Sequence, residues 1–338
     1  DNYCFILFNK ILIRRLSEWL LLKKLLYYMV ALAKREVSEN SAKEISKSLL
    51  TLGYDVISID LSQDCSYEIG EIEKSERGLN EQKVEIGSGI IDVCRKVDIV
   101  FLATHGGIGE NGKLQAIFDV EKIDYTGNSF LSTAISMDKK LSKIVASSVG
   151  IKCASNLMVD RIQANDFPIV IKPIRSGSSK GIKIFQNKKQ FDIYYKEHPE
   201  LGSLFVEKYI KGREFSVGIL GETVLPVIEI KVKNGFYDYN NKYTVGAAEE
   251  VVPAKISEKL THTLQKSAYK IHKALGFNVY SRTDFIVDEK GDVYFIESNS
   301  LPGMTKTSLL PQEAKAAGID FPNLCERIIE LSREIRSQ

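Results

Sequence analysis

Three polar residues near the C-terminal end, Asp284, Glu297 and Asn299, have the types and spacing to hold a divalent cation. They fall in the run RTDFIVDEKGDVYFIESN, two β-rich stretches around the turn sequence Asp-Glu-Lys-Gly, and this pattern predicts a hairpin. Glu297 and Asn299 are two apart, so both leave the same face of the second strand. If Asp284 shares that face, two carboxylates and an amide oxygen converge as a hard-oxygen set suited to Mg2+ carrying nucleotide phosphates. The alternative is a solvated hairpin with ordinary surface acids. The segment Asn-Ser-Leu-Pro-Gly-Met-Thr that follows favours the site, because a Pro-Gly turn after a buried strand exposes backbone N–H groups of the kind an oxyanion needs.

Two further segments could handle anions. In IVIKPIRSGSSKGIKIF, Lys172 ends an apolar strand, and a buried lysine needs an anion. The loop Ser176-Gly177-Ser178-Ser179-Lys180-Gly181 is rich in donors and can close over phosphates, although a plain turn reads the same way. It is not a Walker A loop, since GxxxxGK[ST] is absent. HGGIGENGKLQ, residues 105–115, follows the apolar run VDIVFLAT. A glycine-rich loop at the carboxyl end of a parallel strand is where α/β sheets bind ligands, with His105 and Glu110 in reach. A structural turn is the alternative.

The elements that must position these groups alternate between strand and helix. A strand ending at Ala33, a helix over Asn40–Leu52 stopped by Gly53, the strand GYDVISID, a loop-rich stretch 61–88, a short helix around Ile90–Lys96 and the strand VDIVFLAT are expected in turn. This βαβ pattern predicts a small open α/β domain. From residue 138 the character changes: a helix over Asp138–Val149 leads into PIVIKP, GIKIF, LFVEKYI, EFSVGIL and TVLPVIEI, strands of antiparallel habit. Ser257 is expected to cap a long helix ending near Leu275–Gly276. The predicted class is α/β, becoming α+β in the C-terminal part. The domains read as an atypical leader 1–29, an N-terminal α/β domain 30–127, a central subdomain 128–207 and a C-terminal subdomain 208–338.

Composition excludes several classes. The 46 basic and 44 acidic side chains leave a net charge of +2, not the clustered excess of a nucleic-acid binder. The 5 cysteines lack CxxC spacing and the 4 histidines lack metal-ligand spacing, which speaks for reduced thiols and against zinc. ILIRRLSEWLLLKKLLYYM is apolar and basic, but charges interrupt it before the ~18 apolar residues of a membrane span. No stable membrane insertion is expected; a basic amphipathic surface helix is the alternative reading of that stretch.

In order and spacing these segments resemble the D-alanine–D-alanine ligase family, of the ATP-grasp class. HGGIGENG is similar to the family's HGxxGEDG, Ser136-Met137-Asp138-Lys139 to its MDK element, and KPIRSGSSKG to KPxxxGSSxG. VEKYIKGREFSV resembles the adenine hinge, and FYDYNNKY the FYDYxxKY loop. RTDF with FIESNSLPGMTKTSLLP resembles RxDF … xExNTxPGMTxxSxxP. The likeness runs from about residue 34 to the C-terminus. The chain departs from the pattern where MVALA runs straight into Lys34-Arg35-Glu36-Val37-Ser38 without the family's Gly-Gly-x-Ser loop, which puts the first-substrate subsite in question. Arg175-Ser176 replaces Arg-Glu, Lys180 replaces a small apolar residue, and Asn111 stands where Asp is usual.

The resemblance implies an ATP-grasp fold and joining of two D-alanines through an acyl phosphate, for peptidoglycan precursors. It implies ATP as substrate, two Mg2+ or Mn2+ ions held by Asp284, Glu297 and Asn299, a cytoplasmic location and a homodimer. Lys139 and Lys172 would hold phosphates; Glu207, Lys208 and Ile210 would line the adenine, and Glu214 would bind ribose hydroxyls. Arg282 and the Gly303 N–H would stabilise the oxyanion. Glu36 would hold the first ammonium with His105 nearby, and Ser308, Leu309 and Lys242 would take the second carboxylate. Ser178 and Tyr243 would tie the closing loops to Glu36. A D-lactate- or D-serine-adding ligase and a catalytically impaired ATP-binding homologue are the alternatives.

Overall fold

A computed structural model describes residues 25–30, 35–61, 64–68, 71–75, 85–175, 177, 181–198, 204–232 and 248–337, without the side chains of 25–30, 35–37, 65–68, 71–75 and 248. Ser178, Lys242, Tyr243, the side chain of Glu36, the connection 31–34 and residues 1–24 therefore lie outside the described residues.

The chain enters through β1 (Leu25–Val30). Its residues 25–29 fall in the segment read as leader 1–29. The helix Arg35–Thr51 and β2 (Asp55–Asp60) follow. The helix begins five residues before the expected Asn40. Ser38 and Ser41 on its buried side are polar, so hydrophobic periodicity could not register the first turn. Within the stretch read as loop-rich, β3 (Asp64–Glu68) and β4 (Glu71–Ser75) form an antiparallel hairpin. Next, β5 (Ile99–Leu102) is buried along its whole length. β1 is the centre of a parallel sheet with β2 on one side and β5 on the other. Strands covered on both faces are continuously apolar, as IVFL is.

Beyond this sheet lie β6 (Lys152–Cys153), β7 (Asn156–Leu157), β8 (Ile169–Pro173), β9 (Lys183–Phe185) and β10 (Leu204–Lys208). The last four of these pair antiparallel in the order β7-β10-β8-β9. The helix Lys188–Glu197 puts Phe191 against Phe185 and covers one side of this sheet.

The largest sheet contains β11 (Gly212–Leu220), β12 (Thr223–Val224), β13 (Ile228–Val232), β14 (Ala248–Val251), β15 (Tyr280–Asp288) and β16 (Val293–Asn299). Its order is β14-β13-β11-β15-β16-β6, with β12 hanging on β11. β6 joins it through a parallel pairing with β16. The β15–β16 hairpin is closed by Asp288, whose Oδ1 accepts from the Lys290 and Asp292 amides at 2.9 Å each; Gly291 takes the left-handed φ of 83° that the turn needs.

The helix Glu258–Ala274, capped by Ser257 and stopped at Gly276 (φ 70°), covers one face of this sheet. Leu264, Ala268 and Ile271 pack there against Phe215, Val217, Phe285 and Phe295. Two more helices, Leu309–Ala316 and Phe321–Arg336, close the C-terminal end and share a core with the first sheet.

Candidate active site

On the face of the large sheet opposite the helix Glu258–Ala274, the strands align polar groups. Along β11, Glu214, Ser216 and Gly218 alternate onto one face. Across from them on β15, Ser216 pairs with Asp284 and Gly218 with Arg282; on β16, Asp284 pairs with Glu297 and Arg282 with Asn299. A β-bulge makes this arrangement. The register shifts after Asp284, so that Phe285 faces Phe295 and Asp284 faces Glu297, leaving Ile296 as the extra residue. Phe295 thereby packs into the core while Glu297 emerges at the site.

Asp284 is buried and held firmly: Arg282 donates Nε to Oδ1 at 2.9 Å and an Nη to Oδ2 at 2.8 Å, and Ser216 Oγ donates to Oδ1 at 2.7 Å. Burial alone would lower the guanidinium pKa of Arg282, but Asp284, with Glu297 and Glu313 near it, holds it well above its ordinary value. Glu297 faces the Lys139 ammonium at 3.7 Å. Lys139 is placed by the helix Lys139–Ser148, whose N-cap Asp138 accepts from the amides of Lys140 and Leu141 and from Arg175 Nε at 2.9 Å.

Facing this surface is the antiparallel sheet β7-β10-β8-β9. Between the two sheets lies a cavity of about 380 Å³ lined by Lys139, Lys172, Glu207, Lys208, Ile210 and Glu214, with Asp284 and Glu297 at one end. Val170, Ile182, Ile184, Ile230 and Ile286 make its walls partly apolar. The buried Glu207 carboxylate takes Lys172 Nζ at 2.7 Å and also the ammonium of Lys143. Lys143 further donates to Ala154 O at 2.5 Å and Asn156 Oδ1 at 2.6 Å. Burial pushes the Glu207 carboxyl up, yet Lys172 and Lys143 outweigh it and leave the pKa below its ordinary 4.5.

The remaining groups lie at the far end. Gly303 abuts Ser308: a Cβ at 303 would meet Ser308 Oγ at 2.8 Å. The Ser308 hydroxyl turns back to Thr305, accepting from its amide at 3.1 Å, and does not cap the helix Leu309–Ala316. Leu309 is buried against Ile228 and Ile230. His105 is buried near the N-terminal helix, its amide donating to Ser38 Oγ at 3.1 Å, Nε2 bonded to Ser41 Oγ at 3.0 Å, and Nδ1 3.5 Å from Glu110. A small recess is lined by Glu110, Lys139, Gly177, Glu297 and Asn299, sharing Lys139 and Glu297 with the larger cavity.

The structure thus gathers Lys139, Lys172, Glu207, Lys208, Ile210, Glu214, Asp284 and Glu297 around one cavity, with Arg282 and Asn299 beside it. Sequence reasoning missed Lys143, Ser216, Ser38 and Ser41. Lys143 left a trace: it stands four residues after Lys139 on one helical face, and two such lysines repel unless anions serve them. The serines carry no such mark. Among the described residues no group of three or more His, Cys, Asp or Glu is placed to hold a metal ion. The oxygen set here has two carboxylates and an amide, and Asn299 Nδ2 is buried without a hydrogen-bond partner. Because an amide's two ends exchange by a flip, Asn299 can present its oxygen instead, so the donors fit a hard cation.

Two largely antiparallel sheets clasping a cavity lined by lysines and carboxylates form the ATP-grasp arrangement of ATP-dependent ligases. Family models narrow the class: one described as D-ala D-ala ligase N-terminus matches residues 33–128, and one described as D-ala D-ala ligase C-terminus matches 144–330. The chain belongs to the D-alanine–D-alanine ligase family. It is 36% identical to D-alanine–D-alanine ligases of Pediococcus pentosaceus, with 88% of this chain and 93% of the relative covered, and of Aquifex aeolicus, with 88% and 96% covered. Among solved structures it is similar to D-alanine–D-alanine ligase from Bacillus anthracis, with TM-score 0.75, 32% identity and 93% of this chain and 98% of that one covered. It also resembles the VanG D-Ala:D-Ser ligase from Enterococcus faecalis, with TM-score 0.74, 26% identity and 92% and 99% covered.

Proposed function

We propose that the protein joins two D-alanines to D-alanyl-D-alanine at the expense of ATP, in the making of peptidoglycan precursors. The observation that carries the reading is the cavity: a partly apolar cleft with Glu207 at one end and the cluster Lys139–Glu297–Asp284–Arg282 at the other has the polarity of ATP laid base-inward. Family membership over most of the chain supports the substrates.

In this reading Glu207, Lys208 and Ile210 receive the adenine and Glu214 the ribose, while Lys139 and Lys172 bind phosphate oxygens. The carboxylate of the first D-alanine attacks the γ-phosphorus, ADP leaves, and an acyl phosphate forms. The amine of the second D-alanine then attacks the acyl carbon, loses a proton, and phosphate departs with the electron pair of the broken C–O bond. Arg282 stands where negative charge develops on the carbonyl oxygen, aided by the Gly303 N–H. Ser308, the Leu309 backbone and Lys242 hold the second carboxylate, His105 and Glu36 hold the first amino acid, and Ser178 and Tyr243 close the site. Asp284, Glu297 and Asn299 would hold Mg2+ or Mn2+, which supplies charge neutralisation on the phosphates. Carboxylate and amine do not condense unaided near neutral pH, so the protein's work is positioning and charge stabilisation. The use of ATP supports a cytoplasmic location, and family resemblance supports a homodimer.

The test is phosphate release from ATP with D-alanine, with D-alanine plus D-lactate or D-serine, and with neither, with products identified by mass. Release dependent on D-alanine alone with dipeptide product is expected; release without dipeptide, or only with the mixed acceptors, would overturn the reading.

A further inference from the structure

Glu313 is fully buried on the helix Leu309–Ala316; neither of its carboxyl oxygens makes a hydrogen bond of good geometry, and the backbone amide of Gly218 is the donor beside it. Such a side chain is costly to bury and calls for an account. Its place on the large sheet follows from the strand register. Ser216 Oγ reaches Asp284, which fixes the face on which Ser216 points. Gly218, two residues on, shares that face, and it pairs across with Arg282. A Cβ at Gly218 would lie 2.5 Å from Glu313 Oε2 and 2.5 Å from Leu310 Cδ1. The absent side chain at 218 is thus the notch through which the Glu313 carboxyl reaches the sheet on the Arg282 side. Arg282 commits Nε and one Nη to Asp284.

We propose that Glu313 is a positioning residue: through the Gly218 notch its carboxyl backs the Arg282 guanidinium and couples it to the helix that begins at Ser308 and Leu309. The second substrate's carboxylate and the oxyanion-facing guanidinium are then registered to one another by a single side chain, 4 residues into that helix. Burial, outweighing Arg282, pushes the Glu313 carboxyl well above the usual carboxylate range, and Asp284 and Glu250 add to the rise. An uncharged acid in that place can be replaced in shape by glutamine.

The proposal rests on the ligase reading for its kinetic arm only. Glu313→Ala should lower kcat at least 10-fold while KM for ATP stays within about two-fold, and Glu313→Gln should restore kcat to within about three-fold. The second arm needs no turnover: in protein labelled with 15N-arginine, the Arg282 Nη–H resonances, assigned with Arg282→Lys, should be protected from exchange in the parent and in Glu313→Gln and lose protection in Glu313→Ala. Unchanged protection in a folded Glu313→Ala overturns the proposal whatever the activity. So does a Glu313→Gln as slow as Glu313→Ala, which would mean a charge and not a shape is required. A parent whose Arg282 is protected but which makes no dipeptide would instead count against the ligase reading.

Discussion

Lys143 and Glu207, 64 residues apart, form a buried ion pair in the wall of the cavity between the sheets. The pair joins the helix Lys139–Ser148 to β10, and Lys143 also ties down Asn156 on β7 and Ala154 just before it. Glu207 therefore reaches the cavity already oriented, with Lys172 as its second cation. Lys143→Met should destabilise the protein by about 3–5 kcal/mol, as removal of one member of a buried pair does, and raise KM for ATP several-fold more than it lowers kcat. Calorimetry with ATP titration checks both. The sign in pH follows from the depressed Glu207 pKa: its contribution to stability is complete above the ordinary 4.5 and is lost as pH falls through the lower folded value. An ATP affinity unchanged by the substitution would remove Lys143 from the binding site.

Glu297 is half-buried, set opposite Asp284 by the bulge and 3.7 Å from the Lys139 ammonium. Glu297→Gln should lower turnover on the order of 100-fold or more, the several kcal/mol such charge stabilisation supplies, while circular dichroism stays that of the parent. Raising Mg2+ should recover part of the loss. Parent-like rates at ordinary Mg2+ would end the metal assignment.

Gly303 touches Ser308 so closely that a methyl group there forces the hydroxyl away. Gly303→Ala should raise KM for the second D-alanine about 10-fold or more through the displaced Ser308, at unchanged ATP affinity. Ser308 itself, replaced by alanine in the same background, should then add little, because the two act through one contact. Additive losses in a double-mutant cycle would show that they do not.

His272 lies on the covered face of the sheet, with Nδ1 bonded to Ser281 Oγ at 2.7 Å and Nε2 buried without a partner. Burial pushes its pKa down from 6.5 to about 4. Between these values the unfolded chain binds a proton that the folded one refuses, so stability is full above 6.5 and declines as pH falls toward 4. The loss is on the order of 3 kcal/mol. Melting temperatures of the parent and of His272→Asn, taken from pH 7 to 4, should converge as pH falls. Parallel curves would show that the histidine does not carry the dependence.

The chemical types of the site and the strands bearing most of them were determined by the sequence alone. Period-two spacing, the Asp-Glu-Lys-Gly turn and the all-apolar IVFL are local signals, readable because backbone geometry ties side-chain direction to position along the chain. The same rule misleads at β16. Strict alternation puts Phe295 and Glu297 on one face, yet Phe295 is in the core and Glu297 in the cavity, because a bulge at Ile296 reverses the phase and nothing local announces it. Likewise the residues serving Glu207 and Asp284 come from distant segments: Lys143 and Ser216 are spoken for only once the sheets and helices are packed. Buried polar groups must find partners across long sequence separations, and which partner each meets is a property of tertiary packing rather than of its neighbours along the chain.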